Sequence, residues 1–236
     1  ARRAIETVAG IFRSEGGRIR VAEARLGGHA RRRLWDLELD DGEQQRAGTF
    51  VFALGPWFPK VFPDLLGRKI RIPMGHVFYY GTPSGDHRFA WPNLPSYNVP
   101  GCTGWPALPP DHRGFRVRTG GAQHDDPDRS PRWVGTDKFE RPRQILRDYF
   151  PLMQTGPLVE TRTCHYELSV TRNFIIDRHP DFDNVWLAGG GSAEAFKFGP
   201  VTGEYVAMRT MGVGTDPELD KQFRIPDEEF EEAAPS

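Results

Sequence analysis

Apolar and polar positions follow two periods along the chain, and the switches between them divide it. Ile5, Val8, Ala9 and Phe12 recur at i, i+3, i+4 and i+7, which predicts an amphipathic helix over 2–14, ended by Gly16-Gly17. From Arg18 to Ala24 the period becomes two, with Ile19 and Val21 on one side, and a strand is expected. Leu34–Leu39 is a second strand. Asp40-Asp41-Gly42 turns the chain back, and Thr49–Leu54 is a third, since Asp-Gly between strand patterns signals a hairpin. The run 49–54 is apolar throughout, as in a strand buried on both faces, and it leads into Gly55-Pro-Trp57. Residues 57–67 read as a short helical segment closing at Gly67.

Beyond Ile70 the texture changes. Strand-like pieces at 70–80, 96–99 and 115–119 are separated by turns rich in Pro, Gly and Asp, the pattern of an antiparallel sheet. Residues 136–150 form a helix that takes Pro142 into its first turns or kinks there. Stretches 157–168 and 174–177 are extended. Asn184–Ala188 is a short apolar strand, Gly189-Gly-Gly191 follows it, and Gly199-Pro200 opens a helix with Val201, Tyr205 and Met208 on one face. Strand, glycine loop and helix N-terminus present N–H groups and a positive dipole end to an anion; the same string also makes a tight connection in any α/β protein. After Gly214 the chain turns acidic, through Glu228-Glu-Phe-Glu-Glu232, and reads as a surface arm or a disordered tail.

Charge narrows the functions little. With 31 basic and 32 acidic residues the net charge is −1, which argues for neither nucleic acid nor an anionic membrane surface as partner. No apolar run reaches the length of a membrane span. Cys102 and Cys164 make neither a disulfide framework nor a metal-ligand spacing, so a reducing, cytoplasmic setting without a metal is expected. The chain opens at Ala1-Arg-Arg-Ala without Met and reads as an excerpt of something longer. There is no Ser-His-Asp order, no paired His at metal spacing and no P-loop. His76, His87, His112, His124, His165 and His179 are scattered and read as loop residues. Lys197, between Phe196 and Phe198, either faces an anion admitted by the glycine loop or simply reaches water over a packed stem. Cys164, in a strand pattern, reads as a small buried hydrophobe.

Taken jointly, Cys164-His-Tyr166, Phe174-Ile-Ile-Asp177-Arg-His-Pro180, Asn184-Val-Trp-Leu-Ala-Gly189 and Ala195-Phe-Lys-Phe198 resemble the C-terminal part of the D-amino-acid oxidase superfamily of flavoproteins. Within it, the likeness is to the monomeric sarcosine oxidase and N-methyl amino acid oxidase group. Thr49–Trp57 resembles that family's strand ending in Gly-x-Trp. Residues 1–24 resemble its helix and strand before the flavin-facing hairpin. The resemblance implies FAD as cofactor and oxidation of the C–N bond of a small amine or amino acid to an imine. It implies a covalent link from Cys164 to the flavin, a substrate carboxylate on Lys197, and Tyr166 near the substrate. Cofactor contacts are implied for Val21, Gly55, Trp57, Gly189, Gly190, Gly191, Phe196 and Lys197.

Three departures bear on the chemistry. The family's lysine over the flavin, tied to oxygen activation, falls at Arg116, which keeps a cation but cannot lose its proton, so a dehydrogenase is as open as an oxidase. The histidine of the flavin-side loop is Glu194, a carboxylate that repels a substrate carboxylate or faces a cationic amine. The Gly-x-Gly-x-x-Gly βαβ unit that cradles the FAD pyrophosphate is absent from these 236 residues. The expected architecture is therefore α/β (α+β): a Rossmann-like FAD domain from 1–69 and 151–212 without its N-terminal βαβ unit, an antiparallel substrate domain from 70–150, and an acidic arm from 213–236. A missing N-terminal half or a second chain would supply the dinucleotide site. A non-catalytic, flavin-free structural or partner-binding chain is the alternative.

Overall fold

Helix α1 spans Arg2–Ser14, as its spacing requires, in a computed structural model that describes residues 2–124 and 126–231, with the backbone alone for 122–124. The chain continues through β1 (Ala24–Leu26), β2 (His29–Ala30), β3 (Arg33–Leu34), β4 (Asp36–Leu39), β5 (Gln44–Arg46) and β6 (Phe50–Phe52). Two short helices follow, α2 (Phe58–Val61) and α3 (Pro63–Leu66), then β7 (Ile70–Arg71), β8 (Pro73–Tyr80), β9 (Tyr97–Val99), β10 (Cys102–Trp105) and β11 (Phe115–His124). Helix α4 (Glu140–Tyr149), β12 (Leu158–His165) and β13 (Leu168–Ser169) precede β14 (Ile175–Arg178), β15 (Val185–Gly189), α5 (Ala195–Met211) and α6 (Pro217–Gln222). Contacts group these into two units, one of residues 1–54 and 169–229, the other of 55–168 and 230–236.

The first unit is built on a three-stranded sheet in the order β14-β15-β6. β15 runs parallel to β6, with Val185 opposite Phe50, and antiparallel to β14, with Ile176 opposite Ala188. Val51 is 45% exposed between buried Phe50 and Phe52, so β6 is buried on one face rather than both. The turn at Asp40–Gly42 forms as expected, but the strand that returns is β5, not 49–54: Asp36 pairs with Arg46 and Leu37 with Gln45. Gln-Gln-Arg carries no apolar signal, because the backbone ladder to β4 and an Arg46–Asp36 ion pair hold that edge. The strand expected over 18–24 shrinks to β1, which pairs with β4. Ile19 is 42% and Val21 99% exposed. Alternation makes a strand only where a buried face receives it.

Asn184 locks this unit together. Its side-chain oxygen accepts from Leu34 N (2.9 Å), and its amide donates to Leu34 O (2.8 Å) and Gly48 O (3.3 Å), while it is only 5% exposed. Asn184→Ala leaves the buried Leu34 N–H and C=O without these partners, at about 1–3 kcal/mol each. The urea midpoint is expected to fall by the equivalent of about 3 kcal/mol with an unchanged slope, and an unchanged midpoint refutes the assignment.

Helix α5 starts at Ala195, earlier than the Gly199-Pro200 opening expected from sequence, so Lys197 lies inside its first turn and Pro200 inside the helix. It ends at Gly212 (φ 69°), with Gly212 N bonded to Arg209 O and Val213 N to Met208 O, a Schellman closure. The segment after Gly214 is not a free arm. Asp216 caps α6, Phe223 lies edge-on to Phe174 and Tyr205, and Ile176 N donates to Phe223 O (2.7 Å). Arg209 pairs with Asp220 (3.0 Å) and Asp177 (3.5 Å). Residues 232–236, the tip of the expected arm, lie outside the described residues.

The second unit is a five-stranded antiparallel sheet in the order β12-β8-β11-β10-β9. One face packs Phe78, Tyr80, Phe115, Val117 and Cys102 against Ile145 and Leu146 of α4. Pro142 is the third residue of α4, where its missing N–H has no intrahelical role, and the helix continues past it. The units part at 54/55 and 168/169, not at the expected 69/70 and 150/151, because β12 hydrogen-bonds along the length of β8, from Leu158 to His165. Among the described residues no helix is long and apolar enough to cross a membrane, and no cluster of His, Cys, Asp and Glu could hold a metal.

Candidate functional site

The face of the second unit's sheet opposite its apolar core carries most of the chemistry. Side chains alternate along a strand. With Phe115 and Val117 in the core, Arg116 and Arg118 leave β11 on the other side. Cross-strand register adds neighbours on that side: Trp105 and Tyr79 flank Arg116, Thr103 and Val77 flank Arg118, and Cys164 stands opposite Gly75. The Arg116 guanidinium lies 3.7 Å from the centre of the Trp105 ring, with Tyr79 as its cross-strand neighbour on the other side, and the residue is only 8% exposed. Burial pulls its pKa down and the neighbouring Arg118 charge adds to this, while Tyr79 opposes it. Tyr97 donates to the Arg116 carbonyl (2.5 Å), fixing the strand behind the side chain.

Arg118 lies over the Tyr166 ring at 5.0 Å, on the room left by Gly75, where a Cβ would come 3.1 Å from Arg118 Nε. The arginines nearby share one carboxylate: Arg113 pairs with Glu160 (2.5 Å), and Arg162 pairs with the same group. Neither Arg116 nor Arg118 has a carboxylate partner among the described residues. Cys164 is exposed, contrary to the buried hydrophobe first expected, and its thiol meets only the His165 carbonyl, at 3.6 Å. In the same unit Gly55 takes a left-handed backbone (φ 54°), and Trp57 donates to Asp128 (2.8 Å).

The first unit carries the glycine loop. Gly190 has φ 69°, and a Cβ there would meet Ile175 N at 3.0 Å. Ser192 (φ 45°) and Ala193 (φ 68°) are also left-handed, a strained conformation for residues other than glycine. The Ser192 hydroxyl donates to Gly190 O (3.1 Å), and Glu194 N to Gly191 O (2.7 Å), which hold the loop in that shape. Lys197 is ion-paired with Glu194, both more than half exposed, and its ammonium lies 5.3 Å from the Phe198 ring centre. Phe196 is 57% exposed. Val21 sits outside any strand, so the structure gives this expected cofactor contact no support from packing.

The expected site residues thus divide: Cys164, Tyr166 and Arg116 gather on one sheet face, with Gly55 and Trp57 in the same unit, whereas Gly189–Gly191, Glu194, Phe196 and Lys197 form the loop of the other unit. Arg118, Tyr79 and Trp105 were not singled out from the sequence. The signal for Arg118 is there, since Phe115-Arg-Val-Arg alternates apolar and cationic with period two. Nothing local marks Tyr79 or Trp105, which meet Arg116 only through strand pairing.

Residues 1–209 match the family model described as DAO, FAD dependent oxidoreductase. The chain belongs to this family. Among curated relatives it is 28% identical over 197 residues to a human peroxisomal sarcosine oxidase, covering 76% of the chain and 48% of that protein. It is 31% identical over 175 residues to a probable sarcosine oxidase of Arabidopsis thaliana, covering 69% and 41%. A 70-residue stretch is 40% identical to L-saccharopine oxidase of Schizosaccharomyces pombe, covering 30% and 16%. The fold is similar to a solved fructosyl peptide oxidase from Aspergillus nidulans, with TM-score 0.78 at 16% identity, covering 95% of this chain and 57% of that one. The chain spans less than half the length of these curated relatives.

The residues present fit part of an FAD. Cys164 offers an exposed thiol, its cross-strand neighbours Gly75 and then Gly120 add no side chain beside it, and the glycine loop holds left-handed backbone at Gly190, Ser192 and Ala193. No Gly-x-Gly-x-x-Gly turn for the pyrophosphate occurs in these residues.

Proposed function

We propose that these residues are the flavin-facing and substrate-facing portion of an FAD-dependent oxidoreductase that oxidises the C–N bond of a small amine or N-methyl amino acid to an imine. The observation that carries this reading is the single sheet face on which an exposed Cys164 accompanies Tyr166 and two arginines that have no carboxylate partner among the described residues. Family membership and the sarcosine oxidase relatives support it.

The cofactor, when bound, supplies the acceptor for the hydride equivalent leaving the carbon beside nitrogen. The chain's own residues do the rest. Cys164 would hold the flavin ring through its sulfur. Tyr79 and Trp105 flank Arg116, which is buried, so its charge acts in a low-dielectric setting and counts for more. Tyr166 lies beside Arg118 and lines the substrate. On the glycine loop of the first unit Glu194 and Lys197 answer each other's charge. Arg116 remains a fixed cation, which favours an electron acceptor other than oxygen. A dinucleotide-binding βαβ unit, on the same polypeptide or a second chain, would hold the pyrophosphate.

The test uses FAD-loaded protein expressed from its whole coding sequence. Sarcosine and related N-methyl amino acids, added without oxygen, are expected to bleach the oxidised-flavin band, and readmitted air to restore it slowly. A protein that takes up no flavin, or a flavin that no amine bleaches, overturns the reading.

A further inference from the structure

A cation taken out of water needs something in water's place, and the face of an electron-rich ring is one of the few uncharged groups that serves. Arg116 is 8% exposed and has no carboxylate partner among the described residues. Its guanidinium lies 3.7 Å from the centre of the Trp105 ring, the shortest arginine–ring distance among the described residues. Other arginines over rings are answered by acids: Arg209 lies 5.2 Å from Trp186 and pairs with Asp220, and Arg113 lies 4.5 Å from Tyr79 and pairs with Glu160. Trp105 and Arg116 stand directly opposite each other on β10 and β11, so strand pairing itself brings the indole to the guanidinium. Tyr97 donates to the Arg116 carbonyl (2.5 Å), which fixes the backbone behind the side chain.

We propose that Trp105 is a positioning residue: its indole holds the Arg116 guanidinium in place, and so sets how strongly that cation stabilises the reduced flavin. The effect on the flavin rests on the reading above; the pairing of Trp105 with Arg116 does not. A planar guanidinium lies against an indole, which a compact ammonium cannot do, so the arginine and the tryptophan act as one unit. With one face covered, the guanidinium keeps its N–H edges for what lies beyond the ring. Tyr79, opposite Arg116, and Gly75, opposite Cys164, are four residues apart on β8, about 13 Å along the strand. A three-ring system joined at one end to Cys164 extends over that distance toward Arg116. Reduced flavin gains negative charge, and a cation fixed beforehand in a low-dielectric place stabilises it more than one that must first turn from water.

Two readouts separate the pair from its consequence. In flavin-free protein with isotope-labelled arginine, the NMR signal of the Arg116 Nε–H proton is identified by its absence in Arg116→Met. It is expected well upfield of the other arginines, because it lies in the ring current of Trp105. It should stay there in Trp105→Phe and join the rest in Trp105→Leu. In FAD-loaded protein equilibrated with a reference dye, Arg116→Met should favour the oxidised flavin about tenfold, about 30 mV for a two-electron couple. Trp105→Leu should favour it about threefold, about 15 mV, and the double variant no more than Arg116→Met alone, because the indole acts only through the guanidinium. Trp105→Phe, which keeps a ring face, should change the ratio less than about twofold. If Trp105→Leu does not fold, replacing Trp105 by tetrafluorotryptophan keeps the shape, withdraws electron density from the ring and should shift the ratio in the same direction. An unshifted Arg116 proton, an unchanged potential in Trp105→Leu or in the fluorinated protein, or additive losses in the double variant overturns the proposal. A protein that shows the shifted proton but takes up no FAD overturns the flavin reading, and with it the effect on the flavin, and keeps the pair. A flavin that amines bleach but whose potential ignores Trp105 overturns only this proposal.

Discussion

Cys164→Ala is expected to abolish acid-stable flavin colour: the unsubstituted protein, precipitated in acid, should give a yellow pellet and the variant a colourless one. The two cysteines differ sharply in what they can do. Cys102 is 4% exposed inside the sheet core, and burial pushes its thiol pKa up, which keeps it protonated and inert. Cys164 lies on the opposite face, exposed, with only a neighbouring carbonyl at 3.6 Å. Its cross-strand neighbour Gly75 projects no side chain over it. The thiol is open to a neighbouring group, and a ring beside it meets no side chain from Gly75. Cys102→Ala should therefore keep its colour. A yellow pellet from Cys164→Ala, or a colourless one from the unsubstituted protein that nevertheless binds FAD, would mean the cofactor is held without a thioether.

Gly104→Ala is expected to destabilise the second unit by about 3 kcal/mol, from overpacking together with a broken buried hydrogen bond. Gly104 lies in β10, opposite Tyr97 on one side and Val117 on the other. A Cβ at this position would fall on the Arg116 carbonyl oxygen and on the Tyr97 hydroxyl that bonds it. Either β10 moves off β11 or Tyr97 leaves its place, stacked 5.2 Å from the Phe115 ring. Both outcomes also loosen the backbone that carries Arg116. A urea midpoint within error of the unsubstituted protein would contradict this.

The sequence reading recovered the elements whose pattern is self-contained. Helix α1, the strand before the glycine loop, the strand that brings Arg116 and the helix over 140–149 each carry an apolar period of their own. It failed where pairing, not hydrophobicity, makes the strand. Gln44–Arg46 is a strand because β4 offers it a ladder, and Arg18–Glu23 is none because no buried face receives Ile19 and Val21. The start of α5 was missed because Gly199-Pro200 imitates a helix opening, yet Ala195 already takes helical geometry after the left-handed turn at Ser192 and Ala193. The stretch after Gly214 looked like a free acidic arm, although Asp220 and Phe223 answer Arg209, Phe174 and Tyr205 far away in sequence.

The site divides the same way. Residue type and spacing singled out the glycine loop and Lys197, and the family resemblance added Cys164, Tyr166 and Arg116; the residue types themselves are properties of the sequence. Their environments are not. That Cys164 is exposed while Cys102 is buried, that Lys197 is answered by Glu194, and that Arg116 is enclosed by Trp105 and Tyr79 with no carboxylate beside it were decided only by tertiary structure. Side-chain chemistry is local, whereas desolvation and charge pairing depend on which distant strands the fold sets next to each other.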